Sequence, residues 1–180
     1  MSRLHPPLGP GDHVLGPPAA RITLVEYGDY ECSYCGEAYP IVKELQRQLG
    51  DDLRFAFRNF PLAQAHPHAA RAAQAAEAAG LQGKFWEMHD LLYENQDKLD
   101  DRHLRQFAGR SGLDLERFDR DVDSDGVLAK VRSDFLSGAR SGVNGTPTFF
   151  VNGERYDGNW ASREFLADLA AILGGAQPSI

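Results

Sequence analysis

Apolar and polar positions recur with two different periods along the chain, and these periods divide it into strands and helices. Residues 21–27 are β-branched and apolar, which predicts a buried strand, and residues 53–60 alternate apolar with polar side chains as a second strand does. Between them, residues 32–49 repeat apolar side chains at helical spacing, and Gly50 follows as a stop signal. This order predicts a strand–helix–strand unit whose two strands run parallel.

A block of helices and a terminal hairpin follow this unit. Residues 66–141 keep a helical period throughout, with apolar positions separated by charged ones. Residues 148–156 return to a strand pattern, and Asn152-Gly153 within them predicts a two-residue hairpin turn. A last amphipathic helix is predicted to begin at Ser162. The helices predicted inside the block span residues 69–79, 85–93, 102–108, 113–122 and 127–139.

The same pattern predicts how the chain divides into parts. Residues 1–20 are rich in proline and glycine, which predicts an irregular arm with a short extended piece at residues 13–15. We expect residues 21–65 and 142–176 to form one α/β domain, with residues 66–141 inserted into it as a helical subdomain.

Composition excludes several classes of protein. The chain has 180 residues, 42% of them hydrophobic and 25% charged, which is the composition of a globular domain that folds without disulfide staples. A net charge of −7 argues against a nucleic acid as partner. The apolar stretches fall far short of the ~20 residues that span a bilayer, so no direct membrane insertion is expected. Residues 1–18 lack an apolar core of signal-peptide length, and we therefore expect a cytoplasmic protein, although an exported mature form would have the same features.

Candidate chemistry is concentrated in the two cysteines, Cys32 and Cys35. This spacing has three interpretations: two buried inert thiols, half of a zinc site completed by His66 and His68, or a redox dithiol. Cys32 lies where a strand ends and a helix begins, so unpaired N–H groups and the helix dipole favour its thiolate. Cys35 lies one turn inside the helix, which predicts that Cys32 attacks a substrate disulfide and Cys35 resolves the mixed disulfide.

Four stretches of the chain carry a family resemblance: VEYGDYECSYC (25–35), FRNFPL (57–62), QGKFWEMHDLLY (82–93) and GVNGTPTFFVNG (142–153). Over about residues 12–175 the chain resembles the DsbA-like branch of the thioredoxin superfamily, in its cytoplasmic type, which includes domains appended to sodium/proton antiporters. The resemblance implies a thioredoxin fold with a helical insertion between the second and third strands. It also implies a thiol-disulfide oxidoreductase of protein or peptide disulfides that needs no bound cofactor or metal, with a separate donor or acceptor that recycles the dithiol.

The resemblance further assigns roles to single residues. It implies that Pro147 is cis and faces the dithiol, which leaves the backbone of Thr146 free to pair with an extended substrate. Glu26 stands six residues before Cys32, where the family often has a buried carboxylate; such a group would accept the proton of Cys35. The alternative for Glu26 is an ordinary paired or edge residue of the strand.

The dipeptide between the cysteines leaves two questions open. Ser33 and Tyr34 match neither the strongly oxidising members of the family nor thioredoxin, so the redox potential and the direction of electron flow stay undecided. Tyr34 and Tyr30 are each expected either to form part of an apolar rim for unfolded peptide or to be simply an exposed aromatic. A low-turnover regulatory or peptide-binding module of the same fold is the alternative function.

Overall fold

One five-stranded mixed sheet organises the protein. The computed structural model describes residues 2–175, so residues 1 and 176, the ends of the predicted arm and of the predicted α/β domain, lie outside it. The order of strands across the sheet is β1-β3-β2-β4-β5. The strands are β1 (His13–Leu15), β2 (Ile22–Gly28), β3 (Leu53–Asn59), β4 (Thr148–Val151) and β5 (Glu154–Tyr156).

The helices of the described residues fall into three groups along the chain. One helix joins β2 to β3, five lie between β3 and β4, and one follows β5. The predicted thioredoxin fold with a helical insertion is therefore confirmed; the insertion follows the third strand in the structure because β1 adds a strand to the arm. The helices are α1 (Ser33–Leu49), α2 (Ala69–Gly80), α3 (Phe85–Glu94), α4 (Asp101–Arg110), α5 (Leu115–Asp121), α6 (Asp125–Arg140) and α7 (Glu164–Leu173).

The central strand β2 carries the predicted acid. β2 pairs in parallel with β3, as the sequence predicts, and antiparallel with β4, so both of its edges are hydrogen-bonded. Glu26 is paired with Phe57 on one side and with Phe149 on the other. The edge-strand alternative for Glu26 is thus excluded, and its side chain lies in the middle of an aromatic core.

The N-terminal arm is more ordered than its composition predicts. Residues 13–15 form β1, which pairs antiparallel with β3 and confirms the predicted extended piece. Arg58 on β3 fixes the preceding loop, because its Nε donates to Oδ1 of Asp12 at 2.7 Å and both side chains are buried. The same guanidinium also donates to the hydroxyl of Tyr27 and to the carbonyl oxygens of Pro6 and Pro7.

The terminal hairpin also matches its prediction. Asn152 and Gly153 have φ values of +50° and +85°, the left-handed conformation that a tight two-residue turn requires and that these two residue types adopt most readily. No helix in the described part of the chain combines the length and the apolar character needed to cross a membrane.

Candidate active site

The two cysteines lie at the junction of β2 and α1. Cys32 is the N-cap of α1, and its backbone N–H donates to the carbonyl oxygen of Asp29 at 3.1 Å. The side chain of Asp29 accepts a hydrogen bond from the backbone N–H of Glu31 at 2.8 Å, which closes the turn between strand and helix. An Asp side chain that bonds the backbone two residues later is a common way to build such a turn. The turn therefore places Cys32 at the positive end of the helix.

The two thiols differ in exposure and in acidity. Both are free; Cys32 keeps 5% of its surface exposed and Cys35 none. A hydrogen bond from Cys35 outweighs the effect of burial and, with help from Thr146 and from the first-turn N–H groups, lowers the pKa of Cys32 to about 5. Burial, reinforced by the bond to Cys32, raises the pKa of Cys35 well above the ordinary thiol range. At neutral pH the pair is thus a thiolate beside a thiol, as the helix-start position predicts.

The loop before β4 reaches the first of these sulfurs. The Thr146–Pro147 peptide bond is cis, and Sγ of Cys32 donates to the carbonyl oxygen of Thr146 at 3.4 Å. This hydrogen bond belongs to the protonated form of Cys32, since a thiolate has no proton to donate to a carbonyl oxygen. The hydroxyl of Thr146 is buried and has no hydrogen-bond partner within residues 2–175. The structure brings Thr146 and Pro147 to the dithiol, as the sequence predicts.

Glu26 lies in the core beneath the cysteines. Only 2% of its surface is exposed, and its Oε1 has no hydrogen-bond partner among the described residues. Burial, and then the negative charge of Cys32, raise the pKa of Glu26 to about 8. A cavity of about 10 Å³, close to the room that one water molecule needs, adjoins Glu26 and extends to Lys43 and Asp90. Glu26 is therefore mostly a protonated carboxylic acid at neutral pH, and the cavity beside it has room for one water molecule that could exchange its proton.

Of the two tyrosines predicted to be exposed, Tyr34 faces solvent, whereas Tyr30 is buried in the aromatic core, so the prediction for Tyr30 is wrong. The side chain of Tyr34 is 61% exposed, the largest value among the large hydrophobic residues described. The exposure agrees with both sequence alternatives, a rim for unfolded peptide and a simple surface aromatic, and selects neither.

A glutamine from the helical insertion clamps the dithiol turn, and sequence reasoning missed it. Nε2 of Gln96 donates to the carbonyl oxygens of Tyr30 at 2.9 Å and of Cys32 at 2.8 Å. Gly36 leaves room for this side chain, because a Cβ there would lie 2.1 Å from Oε1 of Gln96. Gln96 is 64 positions from Cys32 in sequence, and no local pattern signals the contact.

A second clamp, also missed, comes from the loop after β3. The buried carboxylate of Asp29 accepts hydrogen bonds from the backbone of Leu62 at 2.8 Å and from Nδ1 of His66 at 2.7 Å. Glu31 accepts a hydrogen bond from the backbone N–H of His68 at 2.6 Å. His66 is thus held by a carboxylate, and no group of three or more His, Cys, Asp or Glu able to hold a metal ion occurs within the described residues.

Comparison with protein families and curated proteins gives two results. A family model described as Thioredoxin matches residues 9–170. The Na(+)/H(+) antiporter NhaA 1 of Mycolicibacterium gilvum is 44% identical over 165 residues, which are 91% of this chain and 27% of that protein. The Na(+)/H(+) antiporter NhaA of Herminiimonas arsenicoxydans is 43% identical over 97% of this chain and 28% of its own length. The chain spans about a quarter of the length of these relatives.

Solved structures with the same architecture cover nearly the whole chain. A thioredoxin-like oxidoreductase from Silicibacter pomeroyi aligns with a TM-score of 0.81 and 30% identity, over 93% of this chain and 95% of its own. BdbD from Bacillus subtilis, in oxidised form, aligns with a TM-score of 0.83 and 25% identity, over 97% and 99%. The α-DsbA1 protein of Wolbachia pipientis, at 19% identity over 94% of both chains and a TM-score of 0.79, shares the fold.

Proposed function

Because the chain belongs to the thioredoxin family and has DsbA-like structural neighbours, we propose that it is a thiol-disulfide oxidoreductase of protein or peptide substrates. The observation that carries the proposal is the opposite acidity of two hydrogen-bonded thiols one helical turn apart. The pKa of Cys32 is lowered to about 5 and that of Cys35 is raised. Cys32 is therefore a nucleophilic thiolate at neutral pH, while Cys35 stays a protonated thiol until the resolving step.

In the proposed reaction, thiol-disulfide exchange proceeds in two steps. The Cys32 thiolate attacks one sulfur of a substrate disulfide, forms a mixed disulfide and expels the other substrate sulfur as a thiolate. Cys35 then loses its proton and attacks Sγ of Cys32, which closes the protein disulfide and releases the second substrate thiolate. Two electrons pass from the protein to the substrate, and the dithiol itself carries them, so the proposal includes no bound cofactor or metal. The reverse sequence donates a disulfide.

Three neighbouring groups support these steps in the proposal. Glu26, protonated at neutral pH, first releases its own proton through the small cavity beside it and then, as a carboxylate, accepts the proton that Cys35 must lose. The Thr146–Pro147 segment pairs with an extended substrate backbone beside Cys32. Tyr34 offers an exposed aromatic surface next to the attacking sulfur. These are proposed roles that the geometry supports.

We also propose a division of labour along the chain. Residues 21–65 and 142–176 act as the redox domain, and the inserted residues 66–141 support the dithiol turn through Gln96. The proposed compartment is the cytoplasm, where glutathione keeps the dithiol reduced and favours reductase or isomerase work. A separate electron donor or acceptor recycles the pair. The reduction potential of the dithiol against glutathione tests the direction, and a strongly oxidising value contradicts it.

Reduction of insulin by a small thiol donor tests the activity. The protein is expected to accelerate the reduction, and Cys32→Ser is expected to abolish the acceleration because the nucleophile is lost. Cys35→Ser keeps the nucleophile but cannot resolve, so it is expected to accumulate a mixed disulfide that non-reducing electrophoresis detects. A wild-type rate from Cys32→Ser refutes the proposal.

The length of the curated relatives favours a second candidate. The chain spans about a quarter of proteins that are named as sodium/proton antiporters, which suits a regulatory or peptide-binding module with little turnover. In that case the protein should bind an unfolded peptide with the same affinity in the wild type and in Cys32→Ser, measured by calorimetry. Insulin reduction near the background rate would accompany this result, whereas a Cys32-dependent acceleration excludes the module as the sole function.

A further inference from the structure

The carboxylate of Asp29 links the dithiol turn to a histidine on another loop. Its side chain is fully buried and accepts three hydrogen bonds, from the backbone N–H groups of Glu31 and Leu62 and from Nδ1 of His66. Such a site, closed on all sides by donors, holds a carboxylate in one position. The imidazole at its outer side keeps about a quarter of its surface exposed, so it stays in exchange with solvent.

The backbone of the same aspartate contacts both cysteines. Its carbonyl oxygen accepts the N–H of Cys32 at 3.1 Å, and its own N–H donates toward the sulfur of Cys35. Asp29 is therefore a single residue that contacts the backbone of Cys32, the thiol of Cys35 and the imidazole of His66. The dipeptide between the cysteines, Ser33-Tyr34, brings no positive charge to the turn. His66, on the loop after β3, can carry a positive charge, and its Nδ1 is bonded to the carboxylate of Asp29 at 2.7 Å.

We propose that His66 is a positioning residue for the redox reaction: Asp29 holds its imidazolium beside the dithiol turn, where the positive charge stabilises the Cys32 thiolate and hence the reduced protein. This inference rests on the proposed function, because it takes Cys32 as the reacting thiol. It goes further in naming a group outside the Cys-x-x-Cys turn that adds to the stability of the thiolate.

The charges around His66 explain why its protonation should affect the dithiol and why the effect should depend on pH. A hydrogen bond to Asp29, and then the charges of Asp29, Cys32 and Glu31, raise the pKa of His66. Interaction between two titrating groups is reciprocal, so an imidazolium that the thiolate stabilises must stabilise the thiolate equally. When His66 loses its proton, the charge of this cluster falls by one unit. The disulfide form of the pair should then become a weaker oxidant as the pH rises through the pKa of His66, because the reduced form is less stabilised.

His66→Gln tests the proposal, with His68→Gln as the matched control. His68 lies two residues away on the same loop and contacts Glu31 through its backbone, which a side-chain substitution leaves in place. In His66→Gln the Cys32 pKa, read from the ultraviolet absorbance of the thiolate, should rise by about half a unit to one unit. Oxidised glutathione converts the dithiol to the disulfide and gives two reduced glutathiones. The equilibrium constant of this reaction should rise about threefold to tenfold, because the reduced protein loses part of its thiolate stabilisation. His68→Gln should leave both quantities at the wild-type values.

A second measurement leaves His66 itself intact. In Cys32→Ser the pKa of His66, followed by NMR of its imidazole, should fall because the thiolate is absent. An unchanged His66 pKa in Cys32→Ser overturns the proposal, as do a wild-type Cys32 pKa and glutathione equilibrium in folded His66→Gln. Failure of the proposed function is a separate result, a wild-type rate of insulin reduction by Cys32→Ser, and neither outcome can be mistaken for the other.

Discussion

Sγ of Cys32 and the carbonyl oxygen of Thr146 lie 3.4 Å apart, although the two residues are 114 positions apart in sequence. The contact places the attacking sulfur against a segment whose backbone an extended peptide can join. A substrate that pairs with Thr146 would therefore present its disulfide next to the thiolate. In the proposed function, this contact would bring substrate alignment and the nucleophile together at the start of α1.

The low pKa of Cys32 depends first on its neighbour in the dithiol, and this gives the first prediction. The hydrogen bond from Cys35 is the largest cause of the lowered pKa. Cys35→Ala removes the donor, so the Cys32 pKa should rise from about 5 by roughly one unit or more. Cys35→Ser keeps a hydroxyl donor and should raise it less. The measurement is the pH dependence of alkylation by iodoacetamide; equal pKa values in both variants and in the wild type contradict the argument.

A buried acid with a raised pKa predicts a pH-dependent stability. The pKa of Glu26 rises from an ordinary value of 4.5 to about 8 on folding, so the folded state binds its proton more tightly than the unfolded chain. Its contribution to stability is full below pH 4.5 and is lost as the pH rises to about 8. Glu26→Gln has no such proton. The free energy of unfolding of Glu26→Gln relative to the wild type should therefore increase by roughly 2–5 kcal/mol over that pH range.

The measurement is urea unfolding of the reduced proteins at several pH values, taken as a difference between variant and wild type. The difference matters because the depressed pKa of Cys32 acts in the opposite sense: its contribution is present above the ordinary thiol pKa and is lost as the pH falls toward 5. This contribution is common to both proteins. A difference that stays constant between pH 4.5 and 8 contradicts the raised pKa of Glu26.

Local patterns sufficed for most of the fold and for the centre of the site. The period of apolar residues predicts the β2–α1–β3 unit and the run of helices, because each element buries one face against the same core. Asn152-Gly153 predicts its turn because few residue types adopt positive φ. Cys32 and Cys35 stand out because a short spacing at a helix start has direct chemical consequences. In each of these cases the signal lies within about twenty residues.

The contacts that support the site could not be predicted in this way. Gln96 reaches the carbonyl oxygen of Cys32 across 64 positions, and His66 reaches Asp29 across 37. A glutamine or histidine in a loop has no periodicity, and its partner is a backbone or carboxylate oxygen that any residue of the turn might supply. The docking of the arm through Arg58 is of the same kind, since a lone arginine in a strand usually marks a solvated face.

Loss of the glutamine clamp should lower the stability of the protein and also raise the pKa of Cys32. Gln96→Ala leaves the carbonyl oxygens of Tyr30 and Cys32 without this donor, which should cost about 1–2 kcal/mol and loosen the dithiol turn. Because the turn positions the first-turn N–H groups near Cys32, the Cys32 pKa should rise as well. Urea unfolding and thiolate absorbance measure the two effects.

Gln82 provides the control for that prediction. Its side chain donates to the carbonyl oxygen of Asp114 at 3.1 Å and accepts the N–H of the same residue at 2.9 Å, again a two-bond clamp of backbone. Gln82→Ala should lower stability while the Cys32 pKa stays unchanged. A shift of that pKa in both variants would show that general loosening, rather than the contact at the dithiol, is responsible.

Two glycines of α6 should respond in opposite directions to alanine, because only one of them is a packing contact. A Cβ on Gly138 would lie 2.6 Å from the ring of Phe60 and 3.0 Å from that of Tyr27, whereas a Cβ on Gly126 meets nothing within 4 Å. Gly138→Ala should therefore lower the free energy of unfolding by about 1–3 kcal/mol, since crowding outweighs the helical preference of alanine. Gly126→Ala should raise it by up to about 1 kcal/mol. Urea unfolding decides; stabilisation by both alanines would mean that α6 can move away from the sheet without cost, and the close approach at Gly138 would then not hold this helix in place.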